Sequence, residues 1–507
     1  MVKLGAIKSF LEPKRDRVGL YALLGLGFLL LVGHFCVAAI SIEFVYGRSA
    51  LLTPTKLYIT LASGLALVCL AAIPFVQKLK STPKLIGFVF IVGLTARALM
   101  FFSSPVLEDD WHRYLWDGAV VANGGDPYEF APAEATPVTR LGDEIDWSKD
   151  PDLLRLQELT EEDFETYWRI NYPYFKTIYP PIAQGGFALA HLISPFELNG
   201  WRAVLLLVDV TTFALLIWTL GLYGRSPLWA TLYWWSPVVT LEVFNAGHMD
   251  GLIVPFLIGT LALAKLGKTR SAVIALAGAA AVKLWPALLA PALVRKWMFR
   301  PRQLIGLAVL FIAVTGLLLW PQLHHVFGYA PGEGFGIIDP DQGLVAYSEA
   351  WRRHAFLFAV FADGPFAGLE EPDRMARNLS AFLIASGALY IAWKRGVDVH
   401  KLPETLLFVT VLLLLLSPTG YPWYQVWIAG FIPFAPRWGA LGLMVLAPLY
   451  YTRFLYGDAD PFYQWCVVPI AFGIPILLFA VEPLFRDKAE HGQSDHPKDL
   501  RHYSRLE

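Results

Sequence analysis

Long apolar segments recur along nearly the whole chain and alternate with shorter polar stretches. Most of them contain about 17 to 25 residues, the length that an α-helix needs to cross the hydrocarbon core of a bilayer. Helices are expected because they satisfy every backbone polar group internally. The pattern predicts spans at residues 18–42, 56–77, 84–102, 302–320, 376–393, 403–417, 422–434, 437–455 and 462–485.

The basic residues between these segments predict the orientation of the spans, because lysine and arginine prefer the cytoplasmic side. They concentrate at residues 1–17, 78–84, 295–302 and 393–401. The predicted parts of the chain are a cytoplasmic N-terminus (1–17), a multi-pass transmembrane domain (18–485) and a cytoplasmic, disordered tail (486–507). Two long loops, at residues 103–176 and 321–375, are predicted on the extracytoplasmic face of the cell membrane.

The region between residues 179 and 294 allows two arrangements. Five simple crossings would place NAGHMDG (245–251) on the cytoplasmic side and the basic KLGKTR (265–270) on the other side. If the first and last stretches are instead short re-entrant helices, KLGKTR becomes cytoplasmic and NAGHMDG extracytoplasmic, in agreement with the charge rule. We favour the second arrangement because Pro180, Pro181 and Pro286 interrupt those two stretches.

Composition agrees with a membrane protein and narrows its partners. Hydrophobic residues make up 56% of the 507 residues and charged residues only 16%, well below the quarter that is typical of soluble domains. The net charge of −1 gives no field that would attract nucleic acid, and no nucleic-acid partner is expected. Cys36, Cys69 and Cys466 lie in apolar runs without CxxC spacing, so we expect them to pack and not to form disulfides.

An acidic triplet stands where the chain leaves the third predicted span. Glu108, Asp109 and Asp110 are followed closely by His112 and Arg113. Mutual repulsion is expected to raise the pKa of at least one of these carboxyl groups, which suits a general base near neutral pH. Bases beside anion-binding donors fit a site where a proton leaves a hydroxyl next to a phosphate. The alternative interpretation is a solvated loop start.

The loop that carries the triplet is rich in aromatic residues, which favours a folded loop over a disordered one. Residues 114–121 alternate apolar and polar positions and predict an amphipathic helix at the membrane interface. A second, acidic helix is predicted to begin at Thr160, where Thr160 and Asp163 have the spacing of a capping box.

Charged residues inside apolar segments form a second signal, because burial of a charge at membrane depth is costly and points to function. Lys283 lies far from either end of its segment, so a phosphate or carboxylate partner in a cavity is favoured over snorkelling. Glu242 is a second charged residue of this kind and lies in the apolar segment just before NAGHMDG. For Asp209, a structural hydrogen bond to a neighbouring helix is an equal alternative.

Polar and aromatic residues elsewhere are predicted to converge on the same outer face. In NAGHMDG, Asn245, His248 and Asp250 are candidates for sugar hydroxyls, with a divalent metal at His248 and Asp250 as the alternative. The other candidates are Tyr179, Gln184, His324, His325, Arg352, Arg353, His354, Trp423 and Tyr424. Interfacial aromatic residues also form membrane belts, but together these residues predict a roofed cavity open to the outer leaflet.

The stretch EDDWHRYLWDGAVVANGGDPYEFAP (108–132) resembles the first extracytoplasmic loop of GT-C superfamily glycosyltransferases, especially bacterial polyprenol-phosphate-mannose-dependent mannosyltransferases. Later landmarks of that family have counterparts here in the same order. The residues that carry the first-loop resemblance are Asp109 or Asp110, Arg113, Tyr114, Trp116, Asp117, Gly118, Gly125, Pro127 and Tyr128. The later segments are TIYPPIAQ, NAGHMDGL, AVKLWPALLAP and PWYQVW.

The resemblance implies an all-α polytopic membrane protein, a GT-C-type bundle of about 12 to 14 transmembrane helices of bilayer length with a large first loop. It implies inverting transfer of a hexose, expected to be mannose, from a polyprenyl-phosphate-linked donor to a glycan or glycolipid acceptor of the cell envelope. A lipid-linked donor needs no nucleotide-binding site, and the sequence contains no Gly-rich motif of the kind that binds nucleotide phosphates. No cofactor is expected, and dependence on a divalent metal stays open.

The resemblance also assigns roles to residues. The catalytic base is an acid of the first loop, here Asp109 or Asp110, with Glu108 less favoured because it lies farthest from Arg113. The expected ligands of the donor phosphate are Arg113, His112 and Lys283. The expected ligands of sugar and acceptor are His248, Asp250, Asn245, Tyr179, Gln184, Trp423 and Tyr424.

Two departures from the family leave questions open. The family has a single or paired acid where this chain has a triplet, so the base is not assigned to one residue. The acidic insert at about residues 136–166 is longer than expected, which leaves the acceptor undefined. Two other classes compete: a secondary transporter that uses Asp209, Glu242 and Lys283, and a lipid-linked glycan polymerase or ligase that depends on Arg352, Arg353 and His354.

Overall fold

Apolar helices form the frame of the molecule. The computed structural model describes residues 2–136, 150–326, 329–330, 334–335 and 343–494. In this part of the chain, eight helices are long and apolar enough to cross a membrane, which confirms the all-α polytopic class. They are Arg17–Ser41, Thr55–Lys78, Pro83–Met100, Leu198–Leu222, Pro301–His325, Pro372–Arg395, Val399–Leu416 and Tyr463–Phe485.

The first half of the chain contains α1 (Val2–Ser41), α2 (Thr55–Ala71), α3 (Ile73–Lys78), α4 (Pro83–Met100), α5 (Asp110–Ala122), α6 (Pro151–Glu162), α7 (Phe164–Trp168), α8 (Pro181–Ile193), α9 (Leu198–Leu222), α10 (Thr231–Trp234), α11 (Val254–Lys265) and α12 (Thr269–Val282). The second half contains α13 (Ala290–Val294), α14 (Pro301–Val326), α15 (Gly343–Ala350), α16 (Leu357–Ala362), α17 (Pro372–Arg395), α18 (Leu402–Leu416), α19 (Val426–Ala429), α20 (Trp438–Leu446), α21 (Arg453–Tyr456) and α22 (Val468–Ser494). Two short antiparallel strands, β1 (Tyr329–Ala330) and β2 (Gly334–Phe335), pair between α14 and α15.

Fewer helices of full spanning length are found than the resemblance implies. A ninth span is counted if Val238–Asn245 and Met249–Lys265, which meet at 115°, form one broken crossing. Two further apolar helices, α8 and α12, contain only 13 and 14 residues. The predicted span at 422–434 is wrong: a 3-10 turn and the four-residue α19 replace a continuous helix. Prolines at 422 and 433 explain the interruption, because proline lacks a backbone donor.

The region between residues 179 and 294 has the geometry of the second, re-entrant arrangement. Asn245 of NAGHMDG donates to Ser103 (2.8 Å) at the start of the loop at residues 103–176, which is named the first outer loop after its predicted side. The two segments therefore lie at the same end of the bundle. At the opposite end, Lys265 meets His400 (2.7 Å). From that end, α12 runs into the bundle, and α13 leads back to the same end at Arg295, whose guanidinium lies over Trp393.

The first outer loop folds around α5, which confirms the helix predicted at residues 114–121. The helix is buried from His112 to Val120, so it lies inside the protein and not at an open interface. It packs along α8, and at Gly118 a Cβ atom would stand 2.3 Å from the carbonyl oxygen of Phe187. Only glycine permits this close approach.

The rest of this loop packs as a small cluster of its own, in which Trp116 of α5 meets Leu156 of α6 and Tyr167 of α7. The predicted start of a helix at Thr160 is wrong. The two helices begin after Asp150 and Asp163, whose carboxylates accept from backbone N–H groups in the first turn. Residues 137–149 of the acidic insert lie outside the described residues.

Both predicted terminal segments are at least partly helical. Helix α1 begins at Val2, within the predicted N-terminal segment. Helix α22 continues past Phe485 to Ser494, so the first nine residues of the predicted disordered tail, 486–494, belong to a helix. The remaining tail residues lie outside the described residues.

Candidate active site

A cavity of about 670 Å³ lies at the end of the bundle that carries the first outer loop. Its wall combines the start of α5, the segment before α8, the tip after α12, helix α15 and the Tyr421–Trp427 segment. Three of the residues that line it are the acids of the triplet, Glu108, Asp109 and Asp110. Segments that are far apart in sequence therefore meet around one cavity, which charged and aromatic side chains line.

The triplet is fixed by a network behind the cavity. Asn245 accepts from the backbone N–H of Val106 (3.1 Å) and donates to Ser103 and to the carbonyl of Ser104. Leu107 then adopts a positive φ of 63°, a sparsely populated conformation that turns the chain towards α5. Asn245 is fully buried in these contacts. It was predicted to bind sugar, but the structure gives it a positioning role.

The three acids have different partners. Asp109 stands at the N-cap of α5 and pairs with Arg169 (Oδ1 to Nη2, 2.6 Å). Asp110 accepts only a weak hydrogen bond from Asn171 (3.3 Å), and its other oxygen lies 4.0 Å from Nδ1 of His248. Glu108 has one buried oxygen without a hydrogen-bond partner among the described residues.

Burial raises the pKa of two of these acids. For Glu108, burial is the main cause, and the negative charges of Asp110 and Glu242 add to it. For Asp110, burial again dominates, while the hydrogen bond from Asn171 and the charge of Lys283 oppose the rise. A carboxyl group with a raised pKa and little hydrogen bonding is suited to accept a proton near neutral pH.

The two basic residues of the first outer loop, Arg113 and His112, mainly contact other parts of the protein and not the cavity. Arg113 lines the cavity, but its Nε pairs with Asp117 (2.7 Å) and its Nη1 donates to the carbonyl of Phe175. His112 is buried and stacks on Trp111, with 3.6 Å between ring centroids. Burial and nearby Arg169 lower its pKa to about 3, so it is neutral at physiological pH and unsuited to pair with a phosphate as a cation.

Lys283 reaches the cavity from the tip of the re-entrant hairpin. The sequence V-K-L-W-P ends α12 at Val282, so that Lys283 is extended and its side chain points away from the helix. Its Nζ pairs with Asp250 (2.8 Å) and lies 4.3 Å from the ring centre of Tyr424. The lysine side chain is 25% exposed, whereas that of Asp250 is 1% exposed, so the cation is the member of the pair that a ligand can reach.

Aromatic residues complete the wall beside Lys283. His248 stacks on Trp423 (3.7 Å between centroids), and Tyr424 stacks on Trp427 and shares a hydrogen bond with Tyr347 (2.7 Å). Both nitrogens of His248 are buried without a hydrogen-bond partner among the described residues. Flat aromatic faces with a few polar groups at their edges are typical of small-ligand sites.

Tyr179 and Gln184, both predicted as ligands of sugar or acceptor, lie in different places relative to the cavity. Tyr179 lines the cavity, as predicted. Gln184, in contrast, is buried behind the wall and donates to Asp117 (3.0 Å) and Thr177 (3.0 Å). It thereby fixes α8 against α5 and does not offer its amide to a ligand in the cavity. Of the two residues considered as an alternative metal site, Asp250 accepts hydrogen bonds from Lys283 and Trp427, whereas His248 stacks on Trp423 and keeps both nitrogens buried.

Arg353, Arg377 and Arg453 also line the cavity wall. The sequence predicted Arg353, both for the cavity and for the ligase alternative, but it did not predict Arg377 or Arg453. Arg453 donates to both oxygens of Asp458 and to the hydroxyl of Tyr450. The signal that could have found Arg453 is the sequence TRFLYGD after an apolar span, because an arginine at the predicted extracytoplasmic end of a span opposes the charge rule and suggests an anionic partner.

Lys283 and Arg353 of the competing interpretations line the cavity, whereas Arg352, His354 and Asp209 lie outside its wall. Arg352 pairs with Asp363 and Asp373 (3.0 Å). His354 is buried against Tyr463, and burial together with nearby Arg453 lowers its pKa to about 3. Asp209 pairs with Arg97 in the core, away from the cavity.

The fold and the cavity define a polytopic helical membrane protein with an acid-and-cation site at one end of the bundle. No family model matches the sequence. The chain is similar to the α-(1→6)-mannopyranosyltransferase A of Mycobacterium tuberculosis, with 23% identity in an alignment 346 positions long that covers 65% of this chain. The chain spans 62% of the length of that curated relative. The similarity to a mannosyltransferase confirms the resemblance noted in the sequence.

Proposed function

We propose that the protein is an inverting mannosyltransferase that uses a polyprenyl-phosphate-linked mannose as donor. The observation that carries the proposal is the meeting of Asp110, which has a raised pKa, with the accessible cation Lys283 in one cavity. The similarity to a named mannosyltransferase supports the type of transfer. The acceptor is a glycan or glycolipid of the cell envelope, and by analogy with the relative's name the new bond is α-(1→6).

Asp110 is the proposed base, and the bond changes balance as follows. The acceptor hydroxyl gives its proton to the Asp110 carboxylate while its oxygen forms a bond to the anomeric carbon of the sugar. The bond from that carbon to the phosphate oxygen breaks, and its electron pair stays on the phosphate. Attack from the opposite face inverts the configuration. Asp109 is less suited to this role because Arg169 already occupies it.

The cations of the cavity receive the departing phosphate. Lys283 is the leading ligand, since it is accessible and its partner Asp250 is buried. Arg353 and Arg453 line the same space and share Asp458 as a carboxylate partner. Negative charge grows on the phosphate in the transition state, so cations placed there in advance lower the barrier. The sugar lies against the aromatic wall, where Trp423 and Tyr424 line the cavity, and His248 supports Trp423 from behind.

We place the cavity on the extracytoplasmic side because the basic residues gather at the other end. There, Lys265 meets His400, and Arg295 stacks on Trp393. The donor lipid would enter from the outer leaflet. A C-terminal green fluorescent protein fusion tests the orientation, because this reporter fluoresces in the cytoplasm and fails to fold when exported unfolded. A dark fusion with intact transfer activity would overturn the orientation.

The central experiment measures transfer of labelled mannose. Membranes that carry the wild type, Asp110→Asn, Asp109→Asn or Glu108→Gln are incubated with radiolabelled polyprenyl-phosphate mannose and an acceptor extract. Loss of a general base typically costs about 10²–10⁴-fold in rate, and we expect that loss for Asp110→Asn. Smaller losses are expected for the other two variants.

The matched control is Asp152→Asn, the same chemical change at an exposed residue of the first outer loop that pairs only with Arg155 among the described residues. It should transfer label at the wild-type rate. If Asp110→Asn also does so while Arg353→Ala is inactive, the base assignment fails and a ligase-type site gains support. Purified protein with synthetic donor and no other sugar source then shows whether mannose itself is transferred.

A further inference from the structure

A cluster of three potential metal ligands lies outside the acid-and-cation cavity. The side chains of Asp126, His324 and His325 each bring one ligand atom to within 4.8 Å of the other two. Among the residues that the structure describes, this is the one such group of three. Asp126 belongs to the turn after α5, whereas the two histidines belong to the last turn of α14. Residues that are about 200 positions apart in sequence thus converge.

Contacts behind the cluster orient two of its ligands. Nδ1 of His324 lies 2.9 Å from the carbonyl of Trp320, which can only accept, so Nδ1 carries the proton and Nε2 keeps a free lone pair. One oxygen of Asp126 accepts from the backbone N–H of Tyr128 (2.9 Å). Its other oxygen meets Nε2 of His325 (2.9 Å). Such outer contacts are characteristic of metal-binding histidines and carboxylates.

The donor set indicates the type of ion. Two imidazoles and one carboxylate suit Zn²⁺ and related divalent transition metals, whereas Ca²⁺ and Mg²⁺ prefer oxygen ligands throughout. The side chains of Asp126 and His325 are 35% and 20% exposed, so an ion can reach them. The cluster contains three protein ligands, which leaves a fourth tetrahedral position for water.

We propose that Asp126, His324 and His325 bind one Zn²⁺ ion that joins the first outer loop to the end of α14. The ion takes the place of the hydrogen bond between His325 and Asp126, and the proton on Nε2 of His325 passes to the solvent. The site is structural for the cavity and takes no part in the bond changes. This inference does not depend on the proposed mannosyl transfer.

The position of the cluster explains what such an ion would do. The Tyr128 hydroxyl donates to the carbonyl of Tyr179 (2.8 Å), and Gln322 of α14 donates to the carbonyl of Ile178 (3.3 Å). Both Ile178 and Tyr179 line the cavity. The metal would therefore fix the two elements that hold this wall.

Metal content is the direct test. Full-length protein with a histidine-free affinity tag is purified in detergent, and a chelator removes any bound metal. The protein is then dialysed against Zn²⁺ and afterwards against buffer. Its zinc content is measured by mass spectrometry. We expect about one Zn²⁺ per chain for the wild type. We expect background levels for Asp126→Asn and for His324→Ala/His325→Ala. Asp126→Asn keeps an oxygen for the Tyr128 contact and is the variant of choice if the double variant misfolds.

The control variant is His400→Ala, which removes an exposed histidine at the opposite end of the bundle that meets Lys265. It should keep the wild-type metal content. A second readout is thermal stability: added Zn²⁺ should raise the melting temperature of stripped wild type and of His400→Ala, but not that of Asp126→Asn. Equal metal content in all variants would show adventitious binding only and overturn the proposal, as would a stripped wild type that neither binds nor responds to Zn²⁺.

Discussion

Two carboxylate–cation pairs lie within the apolar part of the molecule, and they differ in what surrounds them. Asp209 pairs with Arg97 (2.5 Å), receives a hydrogen bond from Tyr233, and both partners are almost completely buried. Arg97 also donates to two backbone carbonyls and lies over the ring of Trp234. Asp250 pairs with Lys283 at the cavity, where the lysine is partly exposed.

The difference teaches that a charge in a membrane segment is not functional by its position alone. The first pair has its charges neutralised by close partners, so it holds α4, α9 and the Trp234 segment together. The second pair leaves its cation open to an anionic ligand. A charge at membrane depth therefore indicates function only when a cavity reaches it.

Removal of Arg97 should have the largest effect. Arg97→Met leaves Asp209 buried without its cation, and breaking a buried pair in this way costs about 3–5 kcal/mol of stability. We expect a sharply lower yield and melting temperature in detergent, both partly restored in Arg97→Met/Asp209→Leu. Normal stability of the single variant would show that this pair is not structural.

Neutralising the second pair should affect activity and spare the fold. In Lys283→Gln/Asp250→Asn neither charge is left unpaired, so the melting temperature should stay near that of the wild type. Mannose transfer should fall by about 10²–10³-fold, the typical cost of losing a group that stabilises transition-state charge. The same exchange at the first pair, Arg97→Gln/Asp209→Asn, should lower stability but leave transfer per folded molecule unchanged. If the first double variant lost stability and the second lost transfer activity, the Arg97–Asp209 pair would be the functional one and the Lys283–Asp250 pair the structural one.

The pH dependence of transfer should show the raised pKa of Asp110. The base works only when ionised, so kcat/KM should fall as the pH is lowered through this pKa, at a higher pH than the value of about 3.9 for an ordinary aspartate. Because the charge of Asp109 contributes to the rise, Asp109→Asn should move the acidic limb to lower pH. A limb at the same pH in both proteins would contradict this coupling.

The smallest effect is expected for exposed pairs outside the cavity. Asp152→Asn removes an ion pair with Arg155 whose two side chains are 46% and 39% exposed. Such surface pairs contribute about 0–1 kcal/mol, so stability and transfer should stay within experimental error of the wild type. A loss of transfer here would show that α6 takes part in binding the acceptor.

Much of the site could be predicted from the sequence, because its main signals are local. The acidic triplet, the lysine inside an apolar run and the aromatic segment after residue 421 all deviate from what a lipid-facing helix requires. Asn245 and Gln184, which the sequence predicted as ligands of sugar or acceptor, make hydrogen bonds within the protein behind the cavity. A buried amide is equally suited to bind a sugar or to pair backbone groups, and sequence does not show which partners fill its hydrogen bonds.

The sequence alone determined that the chain is a helical membrane protein with an acidic loop after its third span, since hydropathy and the triplet depend only on residue type and spacing. Tertiary structure decided the rest. It showed that Arg169 pairs with Asp109 and not with Asp110. It also showed that Lys283 lines a cavity, whereas Arg97 does not. Finally, it placed Asp126 close to His324 and His325. These distinctions depend on distances between segments remote in sequence, which helix packing sets and local pattern does not encode.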